Sequence, residues 1–164
     1  MILPEFFMPY SETFLREAIR LSEEKMEAGE GGPFGAVIVK DGKIVGRGWN
    51  RVTSANDPTA HAEVMAIRDA CSVLGTFSLA GCEIYASCEP CPMCLSAIYW
   101  ARLDALYFAG SHTDAADAGF DDALLYTEVS KDWNFRTLEA EQHLQPEAQE
   151  VFNLWKNKPN RVDY

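Results

Sequence analysis

The side chains best suited to chemistry fall in two short segments, Thr59-Ala60-His61-Ala62-Glu63 and Cys88-Glu89-Pro90-Cys91-Pro92-Met93-Cys94. Of the five cysteines, Cys88, Cys91 and Cys94 crowd into seven residues, while Cys71 and Cys82 stand apart and read as small core residues. An odd number of clustered thiols does not suit a disulfide framework. Cys91 and Cys94 are three residues apart, so in the first turn of a helix both can grip one ion. Pro92 suits such a first turn, and the partial positive charge of a helix N-terminus favours thiolates. With His61 as the third ligand, the set leaves the fourth tetrahedral position of a zinc ion open, as a catalytic site requires.

Glu63 separates a catalytic reading from a structural one. Side chains two residues apart do not share a helix flank, so His61 and Glu63 serve one site only if it lies off the helix's N-terminal tip. The spacing therefore predicts two helix N-termini aimed at one metal, with a carboxylate beside it to move protons. Other readings stand beside this one. A lone Cys-x-x-Cys can be a redox pair. Cys88, Cys91 and Cys94 imitate the start of an iron–sulfur run, but Ile98 and Tyr99 stand where its fourth cysteine and proline belong. A structural zinc site with Cys88 as fourth ligand has no use for Glu63; Cys88 itself reads as a buried thiol at a strand end.

The elements that must position these residues are legible in outline. A helix opens after Ser11, repeats apolar residues at Phe14, Leu15, Ala18, Ile19 and Met26, and stops near Ala28 before Gly29 and Pro33. Ala36–Val39 and Ile44–Val45 flank Asp41-Gly42, a hairpin signal. His61 to Leu74 reads as helix stopped by Gly75, Glu83–Ala86 as strand, Pro92–Arg102 as helix, and Ala105–Ala109 as strand. Asp114–Ser130 reads as irregular structure with a short helix. A last helix starts at Pro146, carries Ala148, Val151, Phe152 and Trp155 on one face, and ends before Pro159. The order α-β-β-α-β-α-β-α predicts a mixed sheet covered by helices on both faces. With 164 residues and no repeat or linker, one domain, 1–164, is the economical reading.

Composition excludes several classes. A hydrophobic content of 48% with 12% aromatics is that of a globular chain, not a disordered one. No apolar run approaches the ~20 residues that cross a bilayer, and the start lacks the basic region and cleavage site of a signal peptide. A cytoplasmic protein without membrane association is expected. The net charge of -11 and pI near 4.6 disfavour a polynucleotide partner, because most of the surface repels phosphate.

His-x-Glu followed by Pro-Cys-x-x-Cys is the signature of zinc nucleobase deaminases, and here it reads His61-Ala62-Glu63 and Pro90-Cys91-Pro92-Met93-Cys94. The likeness extends to Gly32–Val37, Asn50, Asn56–Glu63, Ser87–Cys94, Ala97–Arg102, His112–Ala116, Ala118–Asp122 and the terminal Tyr164. In these segments the chain resembles the bacterial guanine deaminases of the zinc-dependent cytidine-deaminase-like superfamily. The zinc motif marks only the superfamily; Ala118–Asp122 and Tyr164 point to guanine.

The resemblance implies a three-layer α/β/α fold with a mixed five-stranded sheet. It implies a homodimer that exchanges a C-terminal segment, about 146–164, so that Tyr164 closes the partner's site. It implies zinc on His61, Cys91 and Cys94, Glu63 as proton carrier and Asp122 rather than Asp121 as the second proton-handling group. Asn50 would hydrogen-bond the purine, and Phe34 and Trp100 would contact its ring. Without the resemblance, Phe34 and Trp100 read as core aromatics, Asp114, Asp117 and Asp121 as helix caps or a solvated acidic face, His112 as a structural histidine and His143 as exposed. The expected reaction is hydrolysis of guanine to xanthine and ammonia. The rivals are a guanosine deaminase or a deaminase of another aminated heterocycle, a tRNA adenosine deaminase, and a zinc module without activity.

Overall fold

The computed structural model describes residues 10–164, so the N-terminal residues behind the signal-peptide expectation lie mostly outside it. The described residues through Leu125 form one compact unit, and Tyr126–Tyr164 form a second.

In the first unit the order is α1 (Glu12–Glu27), β1 (Gly35–Lys40), β2 (Lys43–Trp49), α2 (Val52–Ala55), α3 (Ala62–Leu74), β3 (Cys82–Cys88), α4 (Pro92–Trp100), β4 (Ala105–Gly110) and α5 (His112–Asp117), with α6 (Ala123–Val129) following. The Asp-Gly hairpin forms as expected. Asp41 and Gly42 both take positive φ, 50° and 71°, as the tight turn between twisted strands requires. Ser11 does precede α1, but its side chain makes no capping hydrogen bond.

The sheet among the described residues has four strands, in the order β2-β1-β3-β4, rather than the expected five. It is mixed: β1 runs antiparallel to β2 and β3, while β3 and β4 are parallel. After β4 the described chain forms α5, α6, a 3₁₀ turn and a last helix, with no further strand. Ser111 and Asp114 exchange side-chain-to-backbone hydrogen bonds in a capping box that starts α5.

Alternation along β1 and β3 divides the core into two layers. Val37, Val39 and Tyr85 pack with Phe14 and Leu15 of α1 on one face. Ala36, Ile38, Ile84 and Ala86 pack with Ala62, Ala66 and Ala70 of α3 and Ile98 of α4 on the other. The three-layer expectation therefore holds. The approach of α3 to the sheet depends on Gly48, where an added Cβ would sit 2.1 Å from the Ala62 carbonyl oxygen. This contact fixes the first turn of α3, which carries the chemistry.

The second unit contains the end of α6, a 3₁₀ turn at Trp133–Phe135 and α7 (Gln145–Lys156). None of its residues is buried, and Val151, Phe152 and Leu154 of α7 are all exposed. Among the described residues no helix is long and apolar enough to cross a membrane.

Candidate active site

The two signature segments arrive at one place because both open a helix. His61 occupies the N-cap of α3 and Glu63 its first turn; Cys91 occupies the N-cap of α4 and Cys94 its first turn. Two helix tips thus converge, as the spacing predicted. The His61 Nδ1 atom lies 3.7 Å from Cys91 Sγ and 3.5 Å from Cys94 Sγ. The three ligand atoms all fall within 4.8 Å of one another.

These donors fit zinc. Tetrahedral coordination with ordinary Zn–S and Zn–N lengths separates sulfur from nitrogen by about 3.6 Å, and both observed separations match. Cys91 is set to be a thiolate, its pKa pushed down to about 4, first by the hydrogen bond with Cys94 and also by His61, against the cost of burial. Cys94 is pushed up, first by that same hydrogen bond and then by burial. The pair thus favours a thiolate on Cys91, the form that binds metal. Cys88 ends β3 only partly buried and does not join the ligand cluster; its Sγ faces the Ser111 carbonyl oxygen at 3.5 Å.

Glu63 is buried at 7% exposure, and burial pushes its carboxyl pKa upward. A carboxyl shifted in that direction beside a metal site is suited to take and return a proton near neutrality.

The site opens into a cavity of about 240 Å³ lined by both aromatic and polar groups. Phe34, Asn50, His61, Glu63, Cys91 and Asp122 all line it. Asn50 is 7% exposed, and its Oδ1 accepts hydrogen bonds from the backbone N–H groups of Gly32 and Val52, each at 3.2 Å. With Oδ1 so engaged, the amide's two remaining hydrogens make Asn50 a donor to a ligand. Asp121 and Asp122 both line the cavity, but Asp121 Oδ1 accepts from the Ala123 N–H at 2.9 Å and so caps α6. Asp122 is the more buried of the two, and burial raises its pKa, with Cys91 and Asp121 adding to the shift.

Two expected residues are not brought to this cavity within the first unit. Trp100, the last residue of α4, lies 64% exposed beside Ser96, Tyr99 and Arg102 in a separate groove. Tyr164 belongs to the second unit and is exposed. Among the lining residues to which the sequence reading gave no part in the site are Glu89, His112, Ala115, Phe120 and Leu125. Phe120 meets Phe34 edge to face at a centroid distance of 4.9 Å. The one available signal was that Glu89, His112, Ala115 and Phe120 fall within the segments of resemblance. Nothing in their spacing marks them as site residues. As expected, Asp114 caps a helix, and His143 is exposed, paired with Glu141 at 2.8 Å.

Comparison with known proteins agrees with this geometry. The sequence profile described as the cytidine and deoxycytidylate deaminase zinc-binding region matches residues 8–110. A guanine deaminase of Bacillus subtilis strain 168 is 56% identical over 153 residues, covering 93% of this chain and 98% of that one. The crystal structure of a guanine deaminase from B. subtilis superposes with a TM-score of 0.92 at 54% identity, over 95% of this chain and 99% of that chain. A guanine deaminase structure from Nitrosomonas europaea gives a TM-score of 0.66 at 31% identity, over 71% and 67% of the two chains. A tRNA-specific adenosine deaminase of Aquifex aeolicus strain VF5 is 45% identical, but over only 60% of this chain and 64% of its own. With the zinc-binding profile matched and three donors set at zinc spacing, the chain belongs to the zinc-dependent deaminase family of cytidine and deoxycytidylate deaminases.

Proposed function

We propose that this protein hydrolyses guanine to xanthine and ammonia. The observation that carries this reading is the 56% identity to a guanine deaminase over 93% of one chain and 98% of the other. The likeness to the tRNA-specific adenosine deaminase stops at 60% of this chain. A cavity of about 240 Å³ lies below the ~300–1,000 Å³ of pockets for drug-sized ligands, which suits a free base better than a nucleoside.

His61, Cys91 and Cys94 would hold the zinc ion, which supplies Lewis acidity that makes water a nucleophile at neutral pH. Glu63 takes one proton from that water while its oxygen bonds to C2 of the purine. Glu63 then returns the proton to the ring nitrogen. The new C2 hydroxyl then gives its proton to Glu63 or Asp122, which passes it to the exocyclic amine; the C2–N bond breaks and ammonia leaves as the carbonyl forms. Asn50 donates to an acceptor on the base, and Phe34 packs on the ring. The buried Glu63 gives no service to a purely structural zinc module, which argues against a protein without activity.

The protein acts as a single deaminase domain and a homodimer. Residues 146–164 cross to the partner, and Tyr164 closes the partner's site. Support comes from the bare apolar face of α7, where Val151, Phe152 and Leu154 are exposed. A helix with such a face seeks a surface to cover it. The enzyme works in the cytoplasm on a small molecule, apart from membranes and nucleic acid, consistent with its charge of -11.

The test is turnover by the purified, zinc-loaded protein on guanine, guanosine and adenine, followed as ammonia and product formed. Equal amounts of xanthine and ammonia from guanine are expected. Reaction with guanosine but not guanine would keep the chemistry and overturn the assignment of the cavity to a free base.

A further inference from the structure

The segment that carries Asp122 has no anchor in the core. From Ser111 to Asp122 no residue is buried, and Gly119 takes a φ of +95° near its end. Beside the edge-to-face contact of Phe120 with Phe34, polar ties set where Asp122 sits. Most of these are contacts to the backbone: Glu89 N–H donates to the Gly110 carbonyl at 2.8 Å, and Cys88 Sγ meets the Ser111 carbonyl at 3.5 Å. One tie joins side chains across the two walls of the cavity. A single carboxylate oxygen of Glu89, Oε2, accepts from both the backbone N–H and the Nδ1 of His112, each at 2.9 Å. Glu89 stands two residues before Cys91, on the turn that presents the metal ligands. His112 is the first residue of α5, the helix leading towards Asp122. Both residues line the cavity.

We propose that Glu89 is a positioning residue, whose paired hydrogen bonds to His112 hold the Asp122 segment in register with the metal-binding turn. Charge-assisted hydrogen bonds are the strong ones, and two on one oxygen fix both the start of α5 and the plane of the imidazole. The donor set and Asp122 come from different elements, so the proton-handling group keeps its distance to the reacting carbon only while the two walls are tied. The kinetic part of this inference rests on the deaminase reading above; hydrogen exchange tests the tie without turnover.

The experiment compares Glu89→Ala, His112→Ala, His112→Asn and the double alanine variant as full-length, zinc-loaded proteins. In either single alanine variant, kcat on guanine should fall by about 10–100-fold, as it does when a group supporting a site is lost. KM should move much less, and zinc content should stay unchanged. The double variant should be no worse than the worse single one, because both remove the same contact. His112→Asn should recover most of the loss, since the asparagine Nδ2 can donate where Nδ1 did. Amide exchange over residues 111–122 should quicken in the alanine variants.

Full kcat in Glu89→Ala overturns the proposal, as do additive losses. So does a His112→Asn variant as impaired as His112→Ala, which would place the imidazole on the substrate instead. If Glu89→Ala fails to fold or to hold zinc, His112→Ala, which lies outside the metal turn, decides the matter. If the unmodified protein leaves guanine untouched, the deaminase reading fails, and unchanged exchange over 111–122 in His112→Ala would separately overturn the tie.

Discussion

The two walls of the cavity are built in opposite ways. One wall is the core itself: Cys94 and Glu63 sit at 0% and 7% exposure on helices packed against the sheet, and Asn50 at 7% has its carbonyl oxygen held by two backbone donors. The other wall, residues 111–125, buries nothing and is held by a capping box, the Glu89–His112 pair and the edge-to-face contact of Phe120 with Phe34. The difference suits the two tasks. Groups that grip a metal ion, and a carboxyl proposed to move protons beside it, must stay within a few tenths of an ångström, which packing achieves. A wall that admits and releases a flat molecule gains from being tied by few contacts.

The sharpest way to break the comparison is at the metal. Cys94→Ala, or chelation of the intact protein, should remove deamination altogether, with zinc loss measured by metal analysis, because a three-ligand site tolerates no deletion. Retention of stoichiometric zinc by Cys94→Ala would take that residue out of the ligand set. Next comes Glu63→Gln, which should keep zinc and fold while kcat drops by about 10²–10⁴-fold; near-normal ammonia release from the zinc-loaded variant would remove Glu63 from the chemistry.

Deleting residues 161–164 extends the comparison to the second unit. Turnover should fall by roughly tenfold or more through loss of a group that closes over the substrate, with the melting temperature unchanged. A fully active truncated protein would dispose of the exchanged C-terminal segment. The smallest effects are on stability and contrast the walls directly. Gly48→Ala drives a methyl against the Ala62 carbonyl beneath α3 and should cost about 1–3 kcal/mol by urea titration. Asp117→Ala in the second wall is exposed and should stay within about 0.5 kcal/mol. Equal costs at the two positions would mean that the walls are not built differently.

Much of the first wall was legible because its signals are local. A histidine or cysteine just before a helix, with its partner one turn in, needs only the 3.6-residue period to place both on one tip. The Asp-Gly hairpin is likewise a local rule. The second wall was not legible in that way. Glu89 and His112 are 23 residues apart in sequence, and no periodicity joins them. Phe120 reads as any exposed aromatic until Phe34 is seen beside it. The fifth strand was expected from family likeness, but among the described residues the chain after β4 forms helices and turns instead.

The sequence by itself determined the donor set, the helices that present it and the hairpin that frames them, since each depends on neighbours within one or two turns of chain. Tertiary structure alone decided which carboxylates look into the cavity and which cap helices, which way the Asn50 amide faces, how closely Gly48 lets α3 approach the sheet, and that the number of strands is four among the described residues. Those outcomes depend on groups far apart in the chain competing for the same space and the same hydrogen bonds, and only the folded packing settles that competition.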